Sequence, residues 1–158
     1  RISVIGDVMT DVWVHGRIEE CQDGCPKFMK RDRVAVNGGA ANARDCLTPW
    51  RIRTDLFGRS HNDRPIKFRY VDDETGRIVF RYDDETMLAA ANDYIWTHGD
   101  ALERVIAHSD AVLISDYDKG FLAPDLIQRV VGACTKKKIP CVADAKREPD
   151  LYCGAIIK

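Results

Sequence analysis

The order of apolar segments in the second half of the chain most constrains how it can fold. "AVLISD" (111–116) is a continuous apolar run, as expected of a strand buried on both faces. In "APDLIQRVVGACTKKK", Pro124 sits near the start and Leu126, Ile127, Val130 and Val131 form a helical stripe. "IPCVADAK" reads as the next buried strand and "GAIIK" as the start of another. Ahead of them, Thr97 to His108 reads as a helix with Leu102, Val105 and Ile106 on one face. That succession of helix, strand, helix and strand calls for parallel βαβ units with helices on the faces of the sheet.

The first half carries a different signal. "RISVIG" reads as a short buried strand, "DVWVHGRIEE" as an alternating one, "CQDGCPKF" as a turn region and "MKRDRVAV" as an exposed strand. A short helix is expected from Ala40 to about Leu47, stopped by Pro49. "RIRTDLFG" reads as a strand ending at Gly58, and "RSHNDRP" as a polar loop. In "IKFRYVDDETGRIVFRYDDE" two alternating strands flank a "DDETG" turn, which predicts a β-hairpin. The hairpin falls outside the βαβ rhythm and is expected in a separate small β-layer.

Composition narrows the function classes. A chain of 158 residues with 45% hydrophobic and 31% charged content is globular, with length enough for one core. The net charge of -1 gives no reason to expect a nucleic-acid or membrane partner, and no apolar run is long enough to span a bilayer. Cys21 and Cys25 form C-x3-C without a following histidine pair, so no zinc site is expected. The six cysteines are expected to be reduced and mostly buried, in a cytoplasmic protein without a signal-peptide pattern.

Open α/β sheets bind ligands beyond the carboxyl ends of their strands. Three segments put polar groups there: "GDVMTD" with Asp7 and Asp11, "SDYDKG" with Asp116, Asp118 and Lys119, and "ADAKREPD" with Asp144 and Lys146. A carboxylate beside a glycine-lined backbone suits paired hydroxyls, and a lysine suits a phosphate. Each residue also has a structural reading. Asp118 or Asp125 could cap the following helix, and Lys136, Lys137 and Lys138 would complement its dipole. The chain has no G-x4-G-K-[ST], no G-x-G-x-x-G and no G-x-S-x-G, and its four histidines lack metal-ligand spacing. "VAVNGGAANARDCL" remains, with two glycines and three alanines over 38–43 where a helix begins, as if something approaches the backbone closely.

Four ordered motifs carry a resemblance. They are Gly6-Asp7-Val8-Met9-Thr10-Asp11, Gly38-Gly39-Ala40-Ala41-Asn42, Ser115 to Gly120 ("SDYDKG"), and Asp144 with Lys146, followed by Tyr152 to Ala155. In that order they resemble the ribokinase-like (PfkB) carbohydrate kinases, and within them the heptose-phosphate kinase part of ADP-heptose synthases. The resemblance implies an α/β fold: a ribokinase-like parallel sheet flanked by helices, with a small β-lid and the C-terminal half missing. Residues 1–158 would be a single incomplete domain, with β-lid segments at about 12–35 and 65–82.

The resemblance also implies roles. Asp11, Gly38, Gly39 and Asn42 would hold sugar hydroxyls, and Lys67 and Arg69 would reach from the lid toward the substrate and its phosphate. Asp116, Lys119, Asp144 and Lys146 would be further phosphate or active-site residues. ATP and Mg²⁺ would serve the complete relative. The N-x-x-E and G-A-G-D motifs that place Mg²⁺ and supply the catalytic base do not occur before Lys158, so neither cofactor nor catalysis is expected of this chain alone. "THGDAL" mimics G-A-G-D but precedes "SDYDKG", so Asp100 is read as a first-turn helix residue. The expected partner is a sugar or sugar phosphate, and the expected assembly a homodimer through the β-lid or an exposed sheet edge. Two functions follow: the sugar-binding half of an ATP-dependent carbohydrate kinase, or a non-catalytic sugar-phosphate-binding or assembly module.

Overall fold

The computed structural model describes residues 1–20, 24–86 and 101–158. Five strands form one all-parallel sheet: β1 (Ile2–Gly6), β4 (Thr54–Phe57), β7 (Ala111–Ser115), β8 (Cys141–Asp144) and β9 (Ile156–Ile157). Their order is β4-β1-β7-β8-β9. The central strands β1, β7 and β8 are covered on both faces, which is why they are apolar almost without alternation, whereas Ile156 and Ile157 of edge strand β9 are exposed. Ile5, Val112 and Ile114 point to one side, where they meet Leu126, Ile127, Val130 and Val131 of helix α3 (Pro124–Lys137). Leu102 and Ile106, from the helical residues 101–107 (α2), join the same cluster. Val4 faces the other way and packs with Val8, Ala40 and Ala41, the last two from α1 (Ala40–Asp45). Each such fully buried Leu, Ile or Val contributes about 1.5–3 kcal/mol.

A second, four-stranded sheet stands beside the first. It comprises β2 (Val8–Glu20), β3 (Pro26–Gly39), β5 (Ile66–Asp72) and β6 (Ile78–Asp84), in the order β3-β2-β5-β6. β2 runs antiparallel to β3 and parallel to β5, and β5 and β6 form the expected hairpin. In its turn, Gly76 takes φ 67° and Thr75 donates to the Asp72 carboxylate. The two faces of this sheet differ. Asp11, Trp13, Lys67, Arg69, Arg81 and Asp83 share one. Phe68, Tyr70, Phe80 and Tyr82 share the other, with Phe68–Tyr82 centroids at 5.8 Å and Tyr70–Phe80 at 5.5 Å.

Several expectations are corrected in detail. β3 begins at Pro26, inside the expected turn region, because its pairing with β2 continues to Glu20. α1 ends at Asp45, and Pro49 lies in a separate 3-10 turn, Thr48–Trp50. The loop after β4 holds a 3-10 turn, His61–Asp63. Neither Asp118 nor Asp125 caps α3: the cap position is Ala123, Pro124 opens the helix, and Asp125 lies in its first turn. Cys134 and Cys141 are buried between α3 and β8, but Cys25, Cys46 and Cys153 are exposed, so burial is not the rule for the described cysteines. Cys21 and the segment from Thr97 to Asp100, including His98, lie outside the described residues.

Candidate functional site

The parallel register sets Gly6, Ser115 and Asp144 side by side, so the three strand ends singled out in the sequence converge. Gly6 allows this contact, since a Cβ there would run into the Ser115 carbonyl. Directly after Gly6 the chain leaves the parallel sheet at Asp7 and enters the second sheet as β2. Asp7 is 1% exposed, and its carboxylate accepts the backbone N–H groups of Tyr117, Lys119 and Phe121. Burial pushes its pKa above the ordinary value, and the three N–H donors oppose the rise. Asp7 therefore organises the loop after β7.

Asp11 lies four residues further on, in the middle of the second sheet. β3 is on one side of it and β5 on the other. On the β3 side, a Cβ at Gly38 would lie 2.6 Å from Asp11 Oδ2, so a larger residue there would push the carboxylate out of this position. On the β5 side, Arg69 Nη1 donates to Asp11 Oδ1 at 2.6 Å. Lys67, in register with Asp11, sends its ammonium to 5.7 Å from the Tyr117 ring centroid. Desolvation lowers the Lys67 pKa from its ordinary value, and Asp11 and Asp83 pull it back. Gly39 has φ 58° at the junction of β3 and α1, and the Ala40 N–H there donates to the Asp7 carbonyl at 2.9 Å. Asn42 is exposed on the first turn of α1.

The remaining sequence candidates separate. Lys119 Nζ pairs with Glu85 at 2.6 Å, which ties the loop after β7 to the end of the hairpin. Asp144 is half-exposed, 3.7 Å from Lys158 Nζ, and Lys146 is exposed. The Asp116 side chain is wholly buried. It accepts from Arg147 Nε at 2.9 Å, from the Asp118 N–H at 2.7 Å and from the Tyr152 hydroxyl. These three groups enclose the Asp116 carboxylate.

Several residues around the site were not singled out from the sequence. Trp13 stands two residues beyond Asp11, and Arg81 and Asp83 face Arg69 and Lys67 across the hairpin. Strand alternation from Asp11 and Lys67 would have found all three. Tyr117 and the buried Arg59 had no such signal. Arg59 follows β4 and donates to the Lys119 carbonyl at 3.4 Å, a contact that only the neighbouring of β4, β1 and β7 creates. Chemically, the site offers a carboxylate acceptor over open backbone, ringed by Lys67, Arg69, Arg81 and Lys119. Among the described residues, no group of carboxylate, imidazole and thiol side chains could hold a metal ion. No helix among them is long and apolar enough to cross a membrane.

No protein-family model matches the chain. It is 28% identical, over an alignment 185 positions long with its gaps, to the bifunctional protein HldE of Sulfurimonas denitrificans, covering 99% of this chain and 39% of that protein. The ribokinase of Arabidopsis thaliana complexed with ribose and ATP superposes with a TM-score of 0.66 at 12% identity, covering 98% of this chain and 57% of that one. A carbohydrate kinase from Agrobacterium tumefaciens gives 0.59 at 14% identity, covering 91% and 53%. The chain thus spans 39% of the HldE protein it matches and just over half of each solved kinase. Over nearly its whole length the chain is homologous to the HldE bifunctional proteins, and its fold is that of the ribokinase-like carbohydrate kinases.

Proposed function

We propose that this chain is the sugar-binding part of an ATP-dependent carbohydrate kinase of the heptose-phosphate type. The observation that carries the reading is the Asp11 carboxylate, set over Gly38 with Lys67 beside it in register. Asp11 accepts hydrogen bonds from two sugar hydroxyls, and Asn42 holds a third. Gly38 and Gly39 let the ring approach the backbone. Lys67 balances the charge of a phosphate on the sugar. The four-stranded sheet acts as a lid, with segments at about 12–35 and 65–82, and excludes water from the acceptor hydroxyl. Residues 1–158 form a single domain in this reading.

ATP and Mg²⁺ belong to the proposed reaction of the complete relative, where ATP supplies the transferred phosphoryl group. This reading assigns none of the described residues to the nucleotide. The proposed assembly is a homodimer through the aromatic face of the lid. Phe80 is 59% exposed there and Tyr82 48%. Beside them Ile18, Pro26, Phe28, Tyr70, Val79 and Phe80 line a groove of about 430 Å³.

Calorimetric titration of the chain with sedoheptulose 7-phosphate and D-fructose 6-phosphate tests the sugar reading. Saturable binding is expected, weakened at least about tenfold by Asp11→Ala, which corresponds to about 1.4 kcal/mol. A folded chain that binds neither, or an Asp11→Ala variant that binds as tightly as the parent, overturns it.

A further inference from the structure

Arg69 lies among the basic residues ringing the site, where a guanidinium would ordinarily be read as a phosphate ligand. Its geometry is different. The register partner of Arg69 on β2 is Trp13, and its guanidinium carbon stands 5.1 Å from the Trp13 ring centroid. From that stack Nη1 reaches back along β2 to Asp11 Oδ1 at 2.6 Å. Both side chains of the pair are largely covered, at 20% and 23% exposure. Two directions of the guanidinium are thus taken up by the protein: its face by an indole and one of its edges by a carboxylate.

Asp11 is constrained from the opposite side as well. Its Oδ2 lies over Gly38, on the strand across from Arg69. One oxygen is held by Arg69 and the other lies against Gly38, where a side chain would displace it. An aspartate on a strand has more than one rotamer open to it, and fixing it before a ligand arrives lowers the ordering cost of binding. An arginine suits this task better than a lysine, because a planar fork can stack and donate at once.

We propose that Trp13 and Arg69 form a clamp that positions the Asp11 carboxylate, with Arg69 acting through Asp11 and not on a substrate phosphate. This inference rests on the sugar-site reading of Asp11. Lys67 is then the basic residue of β5 left to meet a phosphate.

The test uses the full chain and four probes: sedoheptulose and its 7-phosphate, D-fructose and its 6-phosphate. Arg69→Met is expected to weaken the phosphorylated and unphosphorylated sugars by the same factor, about three- to tenfold, by loss of preorganisation. Trp13→Leu should do the same to a smaller degree, and Arg69→Lys should recover part of the loss. In an Asp11→Asn background Arg69→Met should add nothing, since the two residues act as a unit. The ¹⁵N signals of the Arg69 guanidinium in the free chain should be slowed and separately resolved, and should merge in Asp11→Asn.

A selective loss of the phosphorylated sugars in Arg69→Met would make Arg69 a phosphate ligand and overturn the clamp. So would unchanged binding in that variant while the parent binds, and the sugar site would then still stand. A parent chain that binds none of the four probes overturns the sugar-site reading and the clamp with it.

Discussion

The Asp7 carboxylate accepts the backbone N–H of Tyr117 at 2.9 Å, across a sequence separation of 110 residues. The Lys119 and Phe121 N–H groups follow at 3.2 Å each. One buried side chain at the break between β1 and β2 thus holds the loop that carries Tyr117 and Lys119 to the site. Asp7→Asn keeps the shape but replaces an acceptor oxygen with a donor that faces backbone donors. Chemical denaturation should show a loss of about 1–3 kcal/mol, the cost of leaving a buried polar group unpaired. A variant as stable as the parent would remove Asp7 from this role.

The two glycines of the Gly38-Gly39 pair should separate by effect. Gly39 has φ 58°, and a Cβ there would run into the Asp7 carbonyl and come within 2.6 Å of Met9 Cε. Gly39→Ala should cost at least about 1–2 kcal/mol from the backbone alone. Gly38 does not share that conformation, and its Cβ would meet the Asp11 carboxylate. Gly38→Ala should therefore reduce sugar affinity more than thermal stability. Equal stability losses in the two variants would contradict this division.

Asp116 depends on Arg147, which it meets inside the protein with its own side chain wholly covered. Arg147→Met strands that charge and should destabilise the fold by about 3–5 kcal/mol. Adding Asp116→Asn should recover part of the loss. Burial and the hydrogen bond to Asp116 push the Tyr152 hydroxyl above its ordinary range, so it remains a donor. Unfolding curves of the single and double variants measure the coupling.

Acid stability should carry two opposing signatures. The Arg31 guanidinium holds the Asp73 carboxyl below its ordinary 3.8. Its contribution is whole above pH 3.8 and lost as pH falls through the lowered value. Asp7 runs the other way: its pKa is raised by burial, so its contribution is whole below 3.8 and fades as pH rises through the folded value. Thermal melts between pH 2.5 and 6, a window set around the ordinary carboxylate value, should show a flatter acid limb in Asp73→Asn. An unchanged limb would mean that the Arg31 pair does not persist in solution.

The proposed dimer predicts a concentration-dependent sedimentation coefficient that Phe80→Asp abolishes. Phe80 lies on the face of the lid sheet away from Asp11, so sugar binding by the site itself should survive the change. A parent chain that sediments as a monomer at all concentrations would reject the assembly.

Much of the parallel sheet was legible in the chain because burial on both faces leaves a continuous apolar record. β7, α3 and β8 fall where "AVLISD", the Leu126–Val131 stripe and "IPCVADAK" put them. The hairpin was legible from its alternation and from Gly76. The ends of α1 and β3 were not, because pairing with β2 and packing against β1 decide where each stops.

For the site, the sequence by itself determined which residue types stand at the strand ends and that glycines accompany them. The resemblance set Asp11 apart as a sugar ligand, but residue type and spacing alone did not show how Asp7, Asp11 and Asp116 differ in burial and partners. Tertiary structure separates them by solvent access and partners. Asp7 and Asp116 are buried and enclosed by donors from distant segments, Tyr117 in one case and Arg147 and Tyr152 in the other. Asp11 sits on the middle of a sheet between Gly38 and Arg69, with an oxygen over open backbone. Those neighbours come from strands far apart in the chain, and an isolated aspartate carries no trace of which donors will surround it.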